Sequence, residues 1–196
     1  MTEEHFARLT EAAENGETMS IAINGDGHPV RGGFVPWEKT AHAYNMKKPK
    51  LTVSRDDLRN AAVMDVLRRC RLVGCYIFDP LEDYGFLADF SDVQDLFILH
   101  AGAMRDLSFL RSFTGLSMFY LHDARIPDLR PLAEALAGQK SAGGICLGFS
   151  DCRIGDVSAL TAAGLMLSEL LVWPAEGDLR ERWAAVPHVL CFRYYR

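Results

Sequence analysis

Between residues 97 and 160 the chain repeats itself. Phe97-x-Leu99, Met104, Asp106-Leu107 and Leu110 return as Phe119-x-Leu121, Ile126, Asp128-Leu129 and Leu132, each 22 positions later. A third copy reads Ile145-x-Leu147, Cys152, Ile154, Asp156-Val157 and Leu160. Its strand-like pair lies 26 positions beyond that of the second copy. The run Gly138-Gln139-Lys140-Ser141-Ala142-Gly143-Gly144 reads as the loop that absorbs the difference. Cys75-x-Ile77 stands 22 positions before the first copy, and Leu170-x-Val172 follows 25 after Ile145. Leu190 to Tyr195 alternates like a closing strand. A fixed period of this size marks a supersecondary unit that cannot bury its apolar side alone and must stack on its neighbours.

Stacking makes Phe97, Phe119, Ile145 and Leu170 one buried ladder, and Leu99, Leu121, Leu147 and Val172 the next. Leu107, Leu129 and Val157, with Leu110, Leu132 and Leu160, close the back of each coil. Full burial of one Leu or Phe contributes about 1.5–3 kcal/mol. Asp106, Asp128 and Asp156 recur with the turn. They are expected to accept backbone N–H groups there rather than to form a paired-acid active site.

The pattern is clearest in Leu116-x-x-Phe119-x-Leu121-x-x-Ala124-x-Ile126-x-x-Leu129-x-x-Leu132. It resembles the leucine-rich repeat family, in its short class of about 22 residues per repeat. The resemblance covers about residues 70–196. It implies an α/β fold: a right-handed solenoid with a parallel sheet on its concave face, and residues 1–69 as an N-terminal α+β cap. The asparagine position of the family is occupied here by Gly102, Ala124 and Cys152. The family serves mostly as a scaffold for protein recognition, so a non-enzymatic interaction module is the implied function.

Within the cap, His5 to Asn15 fits a helix that Gly16 ends, and Ser20–Ile23 a strand. Asn24-Gly25-Asp26-Gly27 fits a tight turn, and Pro29, Pro36 and Pro49 break any helix over 28–50. Ser54 is an N-cap for a helix at about 54–69. A further short helix fits around 178–185, near the other end.

Side chains alternate along a strand, so the residues between the ladders face outward. They are Tyr76, Ile98, Tyr120, Cys146 and Leu171 in one column, and Phe78, His100, His122, Gly148 and Trp173 in the next. Such an apolar, aromatic face marks an interaction surface. The candidate binding residues are Tyr76, Phe78, Ile98, His100, Tyr120, His122, Leu171 and Trp173, and the expected partner is a protein or peptide. An N-terminal segment or a second copy in a homodimer are the alternative covers. His100 and His122 form a possible pH-sensitive pair, but no third ligand accompanies them, so no metal and no cofactor is expected.

Two other functions fit the sequence. The array could be the recognition arm of an enzyme, or of an inhibitor or immunity-type protein that neutralises one. Activity would then sit near His28, Arg31, Glu38, His42 and Tyr44 of the cap. The other is a purely structural homo-oligomer.

The balance of 21 Lys+Arg against 26 Asp+Glu, net −5, argues against nucleic-acid binding. No apolar run approaches a membrane span, and the polar start Met1-Thr2-Glu3-Glu4-His5 is no secretory signal, so a cytoplasmic location is expected. Cys70, Cys75, Cys146, Cys152 and Cys191 are odd in number and lack zinc-knuckle spacing. They read as reduced, buried thiols. The segment Gly25 to Gly33 lacks the order of a phosphate-binding loop, and Lys47-Lys48-Pro49-Lys50 reads as a solvated loop or a contact for an acidic partner. No serine carries a nucleophile elbow.

Overall fold

The computed structural model describes residues 1–24, 51–137, 144–162, 165–175 and 180–195. It divides into two compact units, Met1–Asp79 and Pro80–Arg196. The expected tight turn at 24–27, the Gly-rich run, the lysine cluster and the polar cap residues between His28 and Tyr44 fall wholly or mostly outside the described residues, as does most of the 138–144 loop.

In the first unit, helix α1 (Glu3–Glu14) starts where Thr2 accepts a hydrogen bond from His5 N–H, and it buries Leu9 and Ala12. Gly16, at φ +62°, takes the left-handed conformation that lets the chain turn into β1 (Thr18–Ile23). Strand β1 lies between β2 (Leu51–Val53) and β3 (Arg71–Ile77), parallel to both. The short β2 is not readable in the sequence, because three residues carry too little alternation.

The single helix expected over 54–69 is two, α2 (Arg55–Arg59) and α3 (Ala61–Arg69). Asn60 is extended at the junction, and its side chain caps the second helix by accepting from Ala62 N–H at 3.0 Å. Ser54 caps the first in a reciprocal box: Asp57 N–H donates to Ser54 Oγ at 3.2 Å, and Ser54 N–H donates to Asp57 Oδ2 at 2.8 Å.

Asp57 is buried and also holds the Met1 ammonium. Burial alone raises its pKa, but the bonds from the Met1 ammonium and from the Ser54 hydroxyl and amide outweigh this and hold the carboxyl below its ordinary value. A depressed folded-state pKa gives stability that is present above the ordinary carboxylate range and is lost as pH falls through the folded value. Asp57→Asn is therefore expected to cost about 2 kcal/mol at pH 7. Urea melts at a series of pH values should show that gap closing below about pH 4. A gap that stays constant down to pH 3 contradicts the assignment.

In the second unit, strands β4 (Asp95–Ile98), β5 (Met118–His122), β7 (Ile145–Asp156), β8 (Leu167–Pro174) and β9 (Val189–Tyr194) form a parallel sheet in that order. Strand β6 (Arg125–Asp128) pairs with the second half of β7. The connections are 3₁₀ turns at Gly85–Asp89 and Ser108–Ser112 and helices α4 (Arg130–Ala137), α5 (Ser158–Ala162) and α6 (Arg180–Ala184). An all-parallel sheet needs such a crossover at each step.

Two inward ladders fill this unit. Leu96, Phe119, Leu147, Leu170 and Phe192 make one, and Ile98, Leu121, Phe149, Val172 and Tyr194 the other. From β4 to β8 all of these side chains are buried. The Phe149 ring packs on Phe119 at 6.3 Å and on Trp183 of α6 at 5.2 Å.

The first coil enters these ladders one residue out of the expected phase. Phe97 pairs with Tyr120, and it is Leu96 that pairs with Phe119. Phe97 and Phe119 therefore sit on consecutive strands but on opposite faces, because a one-residue shift turns every side chain over. The third copy enters at Leu147 and Phe149 rather than at Ile145 and Leu147. The strand steps are thus 23 and 28 positions, where 22 and 26 are expected.

The coils of β4, β5 and β7 each turn at a left-handed corner. His100, Asp123 and Asp151 stand at φ +53°, +55° and +52°. The next residues, Ala101, Ala124 and Cys152, turn inward and are buried. Ala101, not Gly102, thus occupies the equivalent of the family's asparagine position. The Cys152 thiol donates to Leu121 O at 3.3 Å and to Ser150 O at 3.2 Å, so sulfur satisfies backbone carbonyls inside that turn.

The recurrent carboxylates behave as architecture. Asp106 accepts from Ser108 N–H at 3.0 Å, Asp128 from Arg130 N–H at 2.8 Å, and Asp156 from Ser158 N–H at 2.8 Å.

Candidate functional site

The outward face of the second unit carries an aromatic row built strand by strand. Phe97 from β4 stacks on Tyr120 from β5, with centroids 4.2 Å apart and planes 5° from parallel. Tyr120 meets Trp173 from β8 edge-on at 6.0 Å. Trp173 stacks on Tyr195, just past β9, at 4.4 Å and 4°. Strand β7 supplies no ring here. Its Gly148 stands opposite Tyr120 in the ladder, and the Tyr120 ring lies in the space a side chain would take.

Burial separates this row into a floor and a rim. Phe97 is 0% exposed and Tyr120 1%, and Leu171 beside them is also buried. Trp173 and Tyr195 are half-buried. Burial pushes the Tyr120 phenol well above the ordinary tyrosine range, and the nearby Asp151 adds to this.

Beside Trp173 lies a polar group. His122 Nε2 is 3.4 Å from Asp151 Oδ2, and the His100 ring meets the His122 ring edge-on at 5.8 Å. Burial lowers the His122 pKa, and His100 adds to this, while Asp151 and Asp123 oppose it. His100 is exposed, and it occupies the left-handed corner rather than the strand column of His122. At the β9 end, Arg193 Nε is 3.3 Å from Glu169 Oε1.

Of the residues singled out from the sequence, Tyr120, His122, Leu171 and Trp173 share the outward face, and His100 reaches it from the corner. Ile98 does not. It pairs with Leu121 in the inward ladder and is 0% exposed, a correction that follows from the register of β4. Tyr76 and Phe78 belong to the first unit, where Tyr76 is buried at the end of β3 and Phe78 is half-buried. Gly74 leaves room there: a Cβ on it would stand 2.7 Å from Ser20 Oγ and 3.0 Å from Tyr76 Oη.

Phe97, Tyr195 and Asp151 were not singled out, yet they complete the row and its polar rim. Phe97 lay hidden by the phase error. Tyr195 was readable as the next aromatic, 22 positions after Trp173.

Among the described residues no group of three His, Cys, Asp or Glu side chains is placed to hold a metal ion. Burial pushes the Cys75, Cys146 and Cys152 thiols up to about 12. They stay protonated at neutral pH, unlike a nucleophilic thiolate. No described helix is long and apolar enough to cross a membrane.

No protein-family model and no curated protein matches the sequence. Among solved structures the chain is similar to an internalin from Listeria monocytogenes, a leucine-rich repeat protein, at TM-score 0.55 and 16% identity. The match covers 98% of this chain and 54% of the internalin chain, so this chain spans about half of that protein's length. At that identity the likeness is one of fold: an α/β chain with a parallel sheet of the leucine-rich repeat kind.

Proposed function

We propose that the protein is a non-enzymatic interaction module that binds a protein or peptide on the outward sheet face of its second unit. The observation that carries this reading is the row Phe97–Tyr120–Trp173–Tyr195. Its buried members form a rigid floor, and its half-buried members stand ready at the rim. Aromatic anchors that are already stacked lose little side-chain entropy on binding. Trp173, His122 and His100 are the contact residues, with Tyr120 and Leu171 as their support.

The finer features belong to the same proposal. They are a short repeat class of about 22 residues, a right-handed coil, residues 1–69 acting as an N-terminal cap, and residues 70–196 as the solenoid. A cytoplasmic setting is proposed as well, supported by free thiols at all five cysteines.

Trp173→Ala and His122→Ala test the reading. In a pull-down from the native source, each variant is expected to lose a wild-type partner by about tenfold or more. Far-ultraviolet circular dichroism spectra should stay unchanged, because both side chains reach the surface. Full retention of every partner by both variants overturns the proposal.

A further inference from the structure

Away from the aromatic row, the register of β6 and β7 places Arg125 directly opposite Arg153, with Ile126 opposite Ile154 on the inward side. Both arginines are exposed. Adjacent strands are about 4.8 Å apart, and like charges set opposite each other there are destabilising. Neither guanidinium meets a carboxylate among the described residues. Of the neighbouring acids, Asp151 is engaged with His122 and Asp128 with Arg130, while Asp156 accepts from Ser158 and lies near Arg182.

A third guanidinium reaches the same place from another element. Arg182 of α6 donates through Nη2 to Ile154 O at 2.5 Å and to Gly155 O at 2.9 Å. These are the two residues that follow Arg153. Three arginines from β6, β7 and α6 thus gather on a chain whose net charge is −5.

We infer that Arg125, Arg153 and Arg182 form a binding site for a phosphoryl group, either free as phosphate or carried on a phosphorylated side chain. A phosphate monoester offers three acceptor oxygens and close to two negative charges. Guanidinium forks match those oxygens in bidentate geometry. A compact dianion also offsets the Arg125–Arg153 repulsion. The site lies apart from the aromatic row and stands independently of the binding role given to that row.

Thermal melts in inorganic phosphate, O-phosphoserine, glutamate and chloride at equal ionic strength test this, with titration calorimetry for affinity. The wild type is expected to melt higher in phosphate than in chloride. A matching rise in phosphoserine identifies a side-chain-borne group, and a rise in phosphate alone identifies the free anion. Arg153→Gln and Arg125→Gln are expected to melt in chloride at least as high as wild type, since they relieve the repulsion. Both should lose the phosphate-dependent rise and bind at least tenfold more weakly. Arg153→Lys should keep only part of the affinity, because it keeps charge without the fork. A rise in glutamate as large as in phosphate overturns the inference, as does an equal rise in wild type and both Gln variants, or no rise in wild type. Trp173→Ala should respond to phosphate like wild type, so failure here is distinguishable from failure of the aromatic face.

Discussion

Gly155→Ala is expected to destabilise the second unit by about 3 kcal/mol or more, the upper range for inserting a group into packed structure. The pairs Ile126↔Ile154 and Asp128↔Asp156 bring Pro127 alongside Gly155. A Cβ on Gly155 would overlap the Pro127 carbonyl oxygen, with Pro127 C at 2.8 Å and Cα at 2.9 Å. These are backbone atoms, so no rotamer change makes room. Strand β6 would have to move off β7, taking Ile126 out of the core and separating Arg125 from Arg153. Gly115→Ala provides the control, because the nearest atom to its Cβ is Gln94 Cγ at 3.9 Å, and its effect should stay within about 1 kcal/mol. Urea denaturation of the two variants beside wild type decides the matter. Similar small losses in both would mean that β6 does not approach β7 as closely as described.

Gly155 also shows how far the sequence could be read. A glycine between Ile154 and Asp156, inside an alternating stretch, is the usual mark of close backbone approach. The back half of each repeat was legible for a related reason. Ile126 and Ile154, and Leu129 and Val157, are large apolar residues with no other large apolar residue beside them, and Leu132 and Leu160 follow at helical spacing, so each has one possible place. The strands gave no such anchor. Leu96-Phe97-Ile98-Leu99 is apolar at four consecutive positions, and Ile145 to Phe149 contains no charge, so alternation carries no phase there. Counting from Phe97 by 22 then selected the wrong face of β4, which put Ile98 on the surface and hid Phe97 in the core. The usable signal was the corner. His100-Ala101, Asp123-Ala124 and Asp151-Cys152 each pair a polar residue able to turn left-handed with a small one that fits inside, and they recur at 23 and 28. The aromatic face was legible as composition, whereas its division into buried floor and half-exposed rim depends on how each ring lies, which no spacing encodes.

The way Tyr120 lies leads to the second large effect. Gly148→Val is expected to cost about 3 kcal/mol. Its Cβ would fall on Tyr120 Cδ2, with Cε2 3.2 Å away, and two methyl groups would follow. A flexible side chain could swing clear, but this ring is stacked on Phe97 at 4.2 Å and has Trp173 at its other side. It can leave only by rising out of the row, which breaks the stack and exposes a phenol ring that is now 1% exposed. A double-mutant cycle isolates the contact. Tyr120→Ala alone should cost about 3–5 kcal/mol for the lost ring. In the Tyr120→Ala background the valine enters vacated space, so the pair should cost less than the two single changes added, by about 1–3 kcal/mol. Near-ultraviolet circular dichroism should register the disordered Trp173 environment in Gly148→Val. Strict additivity in the cycle would mean that Tyr120 does not rest on Gly148, and the floor on which the binding face depends would then be absent.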